Sequence, residues 1–157
     1  MTIEDIENEL KSYKNDWFLI KSMEEQVAFY EAKLTACTSQ ISDTTRGSSA
    51  VHDKIAEYIA RIEELQIEKY TRLIELENKL EVIEKTVDKL KQPYKTLLFI
   101  TYIQESEYTD ECGQVRTIIG HKNYETAYIM SYDPKYFSRL HRRALWEYKK
   151  EREKCIV

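Results

Sequence analysis

Glycine and proline are scarce in this chain, 3 and 2 among 157 residues, too few for the many turns of an all-β protein. Cysteine is scarce too. Cys37, Cys112 and Cys155 are odd in number, widely spaced and free of any C-x-x-C or Cys/His pairing, which argues against a disulfide framework or a zinc site. Free thiols in a reducing compartment are the reading. No apolar run reaches the ~18 residues of a membrane span, and the opening MTIEDIENEL is acidic where a secretory signal is basic. A soluble cytoplasmic protein with no membrane partner is expected. Gly47, Gly113 and Gly120 are too scattered to make a phosphate-binding loop, His52, His121 and His141 lack ligand spacing, and no Ser/His/Asp or Cys/His grouping is local. The expectation is a chain that is not an enzyme and holds no metal or cofactor.

Charge and helical periodicity are abundant. Charged residues make up 33%, with 24 Lys and Arg against 28 Asp and Glu, a formal net charge of −4. The distribution is uneven: the segment from Pro134 onward is net positive by about five charges, leaving roughly −9 for the rest. The two parts should meet different partners. In the first segment apolar residues fall at Ile3, Ile6, Leu10, Tyr13, Trp17 and Ile20, then Met23, Val27, Tyr30, Leu34 and Cys37, a 3-4 spacing with one extra three-residue step at Met23. Hydroxyl residues then cluster around Gly47, and residues 38–50 read as a loop. The stripe resumes at Val51, Ile55, Ile59, Ile62, Gln66, Lys69, Leu73, Leu76, Leu80, Ile83, Val87 and Leu90. Gln66 and Lys69 interrupt it where Leu65 and Tyr70 flank the seam and can take over. Such a helix is ~60 Å long and needs a second helix along its stripe. The first segment folded back as an antiparallel hairpin, a second copy of the chain, or both together satisfy it.

Gln92-Pro93 ends the long helix, because the residue before proline is pushed out of the helical region. In YKTLLFITYI, Leu97, Leu98, Ile100 and Ile103 form the broad apolar face of a short helix. Residues about 104–122 carry two partly alternating runs around Cys112-Gly113, read as a small β-hairpin, with a disordered insertion as the alternative. Asn123 is placed to cap a helix over YETAYIM, and Asp133-Pro134 opens another with a side-chain acceptor and a preset φ. In that last helix Leu140, His141, Ala144, Leu145 and Tyr148 lie within about 80° of Phe137 and should face a core, with His141 a hydrogen-bonding residue at its edge. Lys135, Arg139, Arg142 and Trp146 project opposite, with Ser138 and Arg143 on the edges of that face.

A short helix, a connection, a seven-residue helix, a tight turn and a capped basic helix make a helix-turn-helix plan. In it Arg139 and Arg142 are placed for guanine, Lys135 and Arg143 for phosphates, and Tyr136 and Ser138 for either. A coiled-coil adaptor whose basic last helix meets an acidic protein is the competing reading.

YKTLLFITYI (94–103), SYDPKYFSRLHRRAL (131–145) and HDKIAEYIARIEEL (52–65) with the hydroxyl-rich loop before it resemble the RinA/ArpU-type phage transcriptional regulators. That resemblance covers most of residues 38–148. It implies a coiled coil joined to a helix-turn-helix similar to region 4 of bacterial sigma factors, acting on late packaging or structural genes of a phage or mobile element. The chain departs from the family at Thr101, where arginine is expected, at Ser131, where glycine is expected, and in the expanded link around Cys112. The expected whole is a mainly α protein: residues 1–91 a helical hairpin or coiled coil that forms a homodimer, and residues 92–157 a helix-turn-helix domain for double-stranded DNA, with host RNA polymerase as a further partner in the bacterial cytoplasm.

Overall fold

A computed structural model describes residues 1–43 and 49–156. The protein is mainly helical, with one small antiparallel sheet, and its two long helices, α1 (Ile3–Asp43) and α2 (Ser49–Asp88), pack against each other. After them come α3 (Tyr94–Leu98), continued by a π-helical turn (Phe99–Ile103), then β1 (Glu105–Thr109), β2 (Val115–Ile119), α4 (Asn123–Ile129) and α5 (Pro134–Ile156).

The α1 stripe is buried where the spacing puts it. Ile6, Leu10, Tyr13, Trp17, Ile20, Met23 and Val27 are buried, and Ile3, Tyr30, Leu34 and Cys37 are half-buried. In α2 the frame differs from expectation in one respect. Positions 55, 62, 69, 76, 83 and 90 lie on the seam as predicted, but the positions between them fall at Tyr58 and Leu65, not at Ile59 and Gln66. Leu65 is 2% exposed while Ile59 is 42% exposed and Gln66 lies in water. Moving one residue along removes an amide from the seam and puts a leucine there, sparing the cost of burying an unpaired polar group. Tyr70, the other flanking residue, stays outside.

Parts of the segment 38–50, expected as a loop, are helical. α1 continues to Asp43 and α2 starts at Ser49, while residues 44–48, including Gly47, lie outside the described residues. Hydroxyl residues do not stop α1 because they bond backwards onto it: Thr38 Oγ1 donates to the Leu34 carbonyl at 3.2 Å and Ser39 Oγ to that of Thr35 at 3.0 Å.

The chain divides into two compact units, Phe18–Leu76, and Met1–Trp17 together with Glu77–Val157. The division falls inside both long helices. The first turns of α1 belong with the C-terminal elements: Arg152 Nε donates to Glu9 Oε1 at 3.2 Å, and Lys79 of α2 is paired with Asp16. Phe18–Leu76 is a plain helical hairpin in which Tyr30 meets Tyr58 at 6.0 Å between ring centroids.

In the larger unit α3 and α4 both pack on α5, and α4 also packs on the π turn. Leu97, Leu98, Ile100 and Ile103 are buried as their spacing predicts, with Thr101 and Tyr102 in addition. Residue spacing carries no signal for the π turn. Gln104 N donates to the Phe99 carbonyl at 2.8 Å, five residues back, and the chain then leaves for β1. The Thr101 carbonyl is thereby free to accept from His121 N at 3.0 Å, while Gly120 N donates to the Gln104 carbonyl at 2.8 Å. These two bonds fasten the hairpin's exit to the turn. The hairpin itself pairs Glu105 with Ile119 through to Thr109 with Val115. Its tip is closed by Asp110, whose carboxylate accepts from Cys112 N and Gln114 N and pairs with Arg116.

Candidate nucleic-acid interface

α4 and α5 are joined by residues 130–133. Tyr132 N donates to the Ala127 carbonyl at 2.8 Å and Ser131 N to that of Tyr128 at 3.0 Å, closing α4. The reversal passes through Ser131, whose φ of 58° lies in the left-handed region that favours glycine. Ser131 keeps the turn at the cost of backbone strain, so Ser131→Gly is expected to raise stability by about 0.5–1 kcal/mol, read as a higher urea midpoint with an unchanged slope.

Each helix of the pair has a carboxylate accepting from the backbone at its N-terminus. Glu125 Oε2 accepts from Lys122 N at 2.9 Å, a contact from inside the helix back to its cap, and Asn123 is a helical residue and not the cap. That bond, first among its causes, holds the Glu125 carboxyl below the usual range. Asp133 Oδ1 accepts from Lys135 N at 2.9 Å and Pro134 opens α5, as the sequence implies.

The inner face of α5 is the predicted one: Phe137, Leu140, His141, Ala144, Leu145 and Tyr148 are all buried. Burial of residues this size contributes about 1.5–3 kcal/mol for each large side chain, enough to hold the helix in one rotation about its axis. That rotation sets the outer face.

His141 is 7% exposed, its Nε2 lies 2.9 Å from Tyr102 Oη, and its ring stacks with that of Phe137. Burial disfavours the imidazolium and lowers its pKa from 6.5, with Glu7 opposing that shift and Lys11 adding to it. The neutral ring shares this hydrogen bond with the Tyr102 hydroxyl, whose own pKa burial raises. Because the folded pKa lies below the unfolded one, the unfolded chain binds the proton first as pH falls. Stability is therefore expected to decline as pH drops below 6.5, and the decline ends once pH is under the depressed folded value. Urea midpoints between about pH 7.5 and pH 5 check this, with His141→Gln giving a flatter profile.

All six sequence-predicted contact residues, Lys135, Tyr136, Ser138, Arg139, Arg142 and Arg143, are exposed on α5. Tyr136, Lys135, Arg142 and Arg143 lie within about 60° of Arg139 around the helix, and Ser138 is at the margin. Trp146, 48% exposed, lies on the same face, with Lys150 Nζ 3.3 Å from its ring centroid. The helical wheel placed Trp146 there, but an indole has no basic charge to single it out as a contact. Tyr132 packs edge-on against Tyr136 at 5.3 Å and braces it from the turn.

The charges of α5 fall into two halves. In the C-terminal half Lys149 and Lys150 pair with Glu153 and Glu147, Arg152 with Glu9, and Lys154 with Glu151. In the first half Lys135, Arg139, Arg142 and Arg143 have no acid within ion-pair distance among the described residues. Four cations without an internal counterion make a surface of one sign, poised for an external anion.

The β-hairpin differs in sign. It carries Glu105, Glu107, Asp110 and Glu111 against Arg116, which is already paired with Asp110 at 2.7 Å. No helix among the described residues is long and apolar enough to cross a membrane. Comparison of the chain with known protein families, with curated proteins and with solved structures finds no match.

Proposed function

We propose that the protein is a sequence-specific, double-stranded-DNA-binding transcriptional regulator that reads DNA with the first turns of α5. The observation that carries this reading is the cluster of exposed, internally unpaired cations Lys135, Arg139, Arg142 and Arg143 at the start of the second helix of a helix-turn-helix pair. In this reading the N-terminal half of α5 enters the major groove. Arg139 and Arg142 donate to guanine N7 and O6, Lys135 and Arg143 neutralise phosphates, and Tyr136 and Ser138 contact bases or backbone. The acidic hairpin repels phosphate and is assigned to protein contact, with host RNA polymerase the proposed partner.

The resemblance of residues 94–103 and 131–145 to RinA/ArpU-type regulators extends the proposal to activation of late phage or mobile-element genes in the cytoplasm of a bacterial host. A homodimer belongs to the same proposal, but the α1–α2 seam is filled within one chain, so a second copy needs another surface.

Salt dependence tests the central claim. With two phosphates neutralised, by Lys135 and Arg143, affinity for a duplex taken from upstream of the neighbouring genes should fall about 12-fold between about 50 and 200 mM salt. No duplex binding at about 50 mM salt would overturn the reading. Binding to an acidic protein without duplex binding would favour the adaptor alternative.

A further inference from the structure

The outer side of α2, opposite its seam, is less polar than a solvated helix face should be. Ile67, Tyr70 and Ile74 are 70%, 63% and 59% exposed. They lie within about 60° of one another around the helix, on the side turned away from the α1 partner. Along one edge of this row stand Glu57, Glu64, Glu68 and Glu75, at steps of seven, four and seven residues, all exposed, and Glu63 sits within the row. Glu64 and Glu68 make exposed pairs with Arg61 and Arg72 at 3.3 Å, while Glu57, Glu63 and Glu75 have no cation at ion-pair distance among the described residues. An apolar row beside an acidic ridge fits a helix with cations and aromatic rings on one face.

The chain carries such a helix. The exposed face of α5 presents Lys135, Arg139, Arg142 and Arg143 with Tyr136 and Trp146 among them. The dimensions match: Glu64 to Glu75 and Lys135 to Trp146 each span eleven residues, about 16 Å of helix. Symmetric packing of two α2 rows would instead set glutamates of one copy near glutamates of the other, at a cost in free energy.

The geometry points to a second copy of this chain as the occupant: the cationic-aromatic face of α5 in one molecule docks on the acidic-apolar face of α2 in another. This head-to-tail contact covers the face assigned to DNA, so self-association and DNA binding compete. The contact itself does not require that DNA be the ligand; only the competition rests on that reading.

Sedimentation of the full chain at about 50 mM salt tests it. Wild type is expected to self-associate at micromolar concentration and to dissociate near 500 mM salt. Glu64→Lys with Glu75→Lys, and Arg139→Glu with Arg142→Glu, should each weaken self-association about tenfold or more, with helix content unchanged by circular dichroism. Mixing the two double variants should restore a one-to-one complex, because each keeps the face the other has lost. Wild type monomeric at about 100 μM would overturn the proposal, as would failure of the mixture to form a complex. Loss of association in Ile67→Ser with Ile74→Ser but not in the charge variants would also overturn it, in favour of symmetric α2 packing. Duplex DNA should dissociate the wild-type complex. If association follows the charge pattern while the protein binds no duplex, the DNA reading fails and the docking contact stands.

Discussion

Arg139→Ala combined with Arg142→Ala is expected to lower affinity for the preferred duplex by about a hundredfold, roughly 3 kcal/mol, with little change in folding stability. Both side chains are exposed on α5 and neither has an acidic partner among the described residues, so no internal interaction is lost on truncation. Alanine is also a good helix former, and surface changes of this kind stay within about 0.5 kcal/mol each. Fluorescence anisotropy with the preferred and a scrambled duplex, alongside urea unfolding, separates the possibilities. Loss of discrimination places the arginines at base edges. An equal loss on both duplexes with a shallower salt slope places them at phosphates. Unchanged affinity for both would remove α5 from the interface.

Gly120→Ala is expected to destabilise the fold by about 3 kcal/mol or more. Gly120 has φ +67°, and a Cβ there would lie 2.3 Å from the Thr101 carbonyl oxygen and 3.2 Å from Tyr102 Cα. Both obstacles are backbone, so no side-chain rotation relieves them. The displaced carbonyl is the acceptor for His121 N, and losing that bond frees the hairpin's exit from the π turn. Gly113 is the internal control. Its φ is +77°, but a Cβ there meets nothing within 4 Å, so Gly113→Ala should cost only the conformational strain, about 1 kcal/mol. Equal urea midpoints for the two variants would refute the steric account.

Most of the helical architecture was legible from residue spacing because an amphipathic helix repeats its signal every three or four residues. The α1 stripe from Ile3 to Cys37 and the inner face of α5 from Phe137 to Tyr148 are read directly in this way. So is the Asp133-Pro134 start, a local matter of one side chain and one ring. The candidate contact residues followed from the same wheel: once Phe137 and Leu140 face inward, Arg139 and Arg142 have nowhere to point but out.

Where two local patterns were nearly equivalent, the sequence alone could not choose. Ile59 and Tyr58 both suit a seam, and the substitution of Leu65 for Gln66 is decided only when a partner helix is present to exclude water. The hydroxyl residues at 38 and 39 read as loop, yet a helix already formed offers them the Leu34 and Thr35 carbonyls.

By itself, then, the sequence determined the fold class of the protein, the presence of two long helices, the separation of acid from base along the chain and the outward set of cations on α5. These are properties of neighbours in the chain. Tertiary structure alone decided that the first turns of α1 join the C-terminal unit, that Phe99–Ile103 winds as a π turn, and that Gly120 is required by the Thr101 carbonyl. It also decided that Arg152 of α5 is neutralised by Glu9 of α1. The reason is a contact between groups far apart in sequence, Arg152 with Glu9 or Gly120 with the Thr101 carbonyl, for which the chain carries no periodic signal.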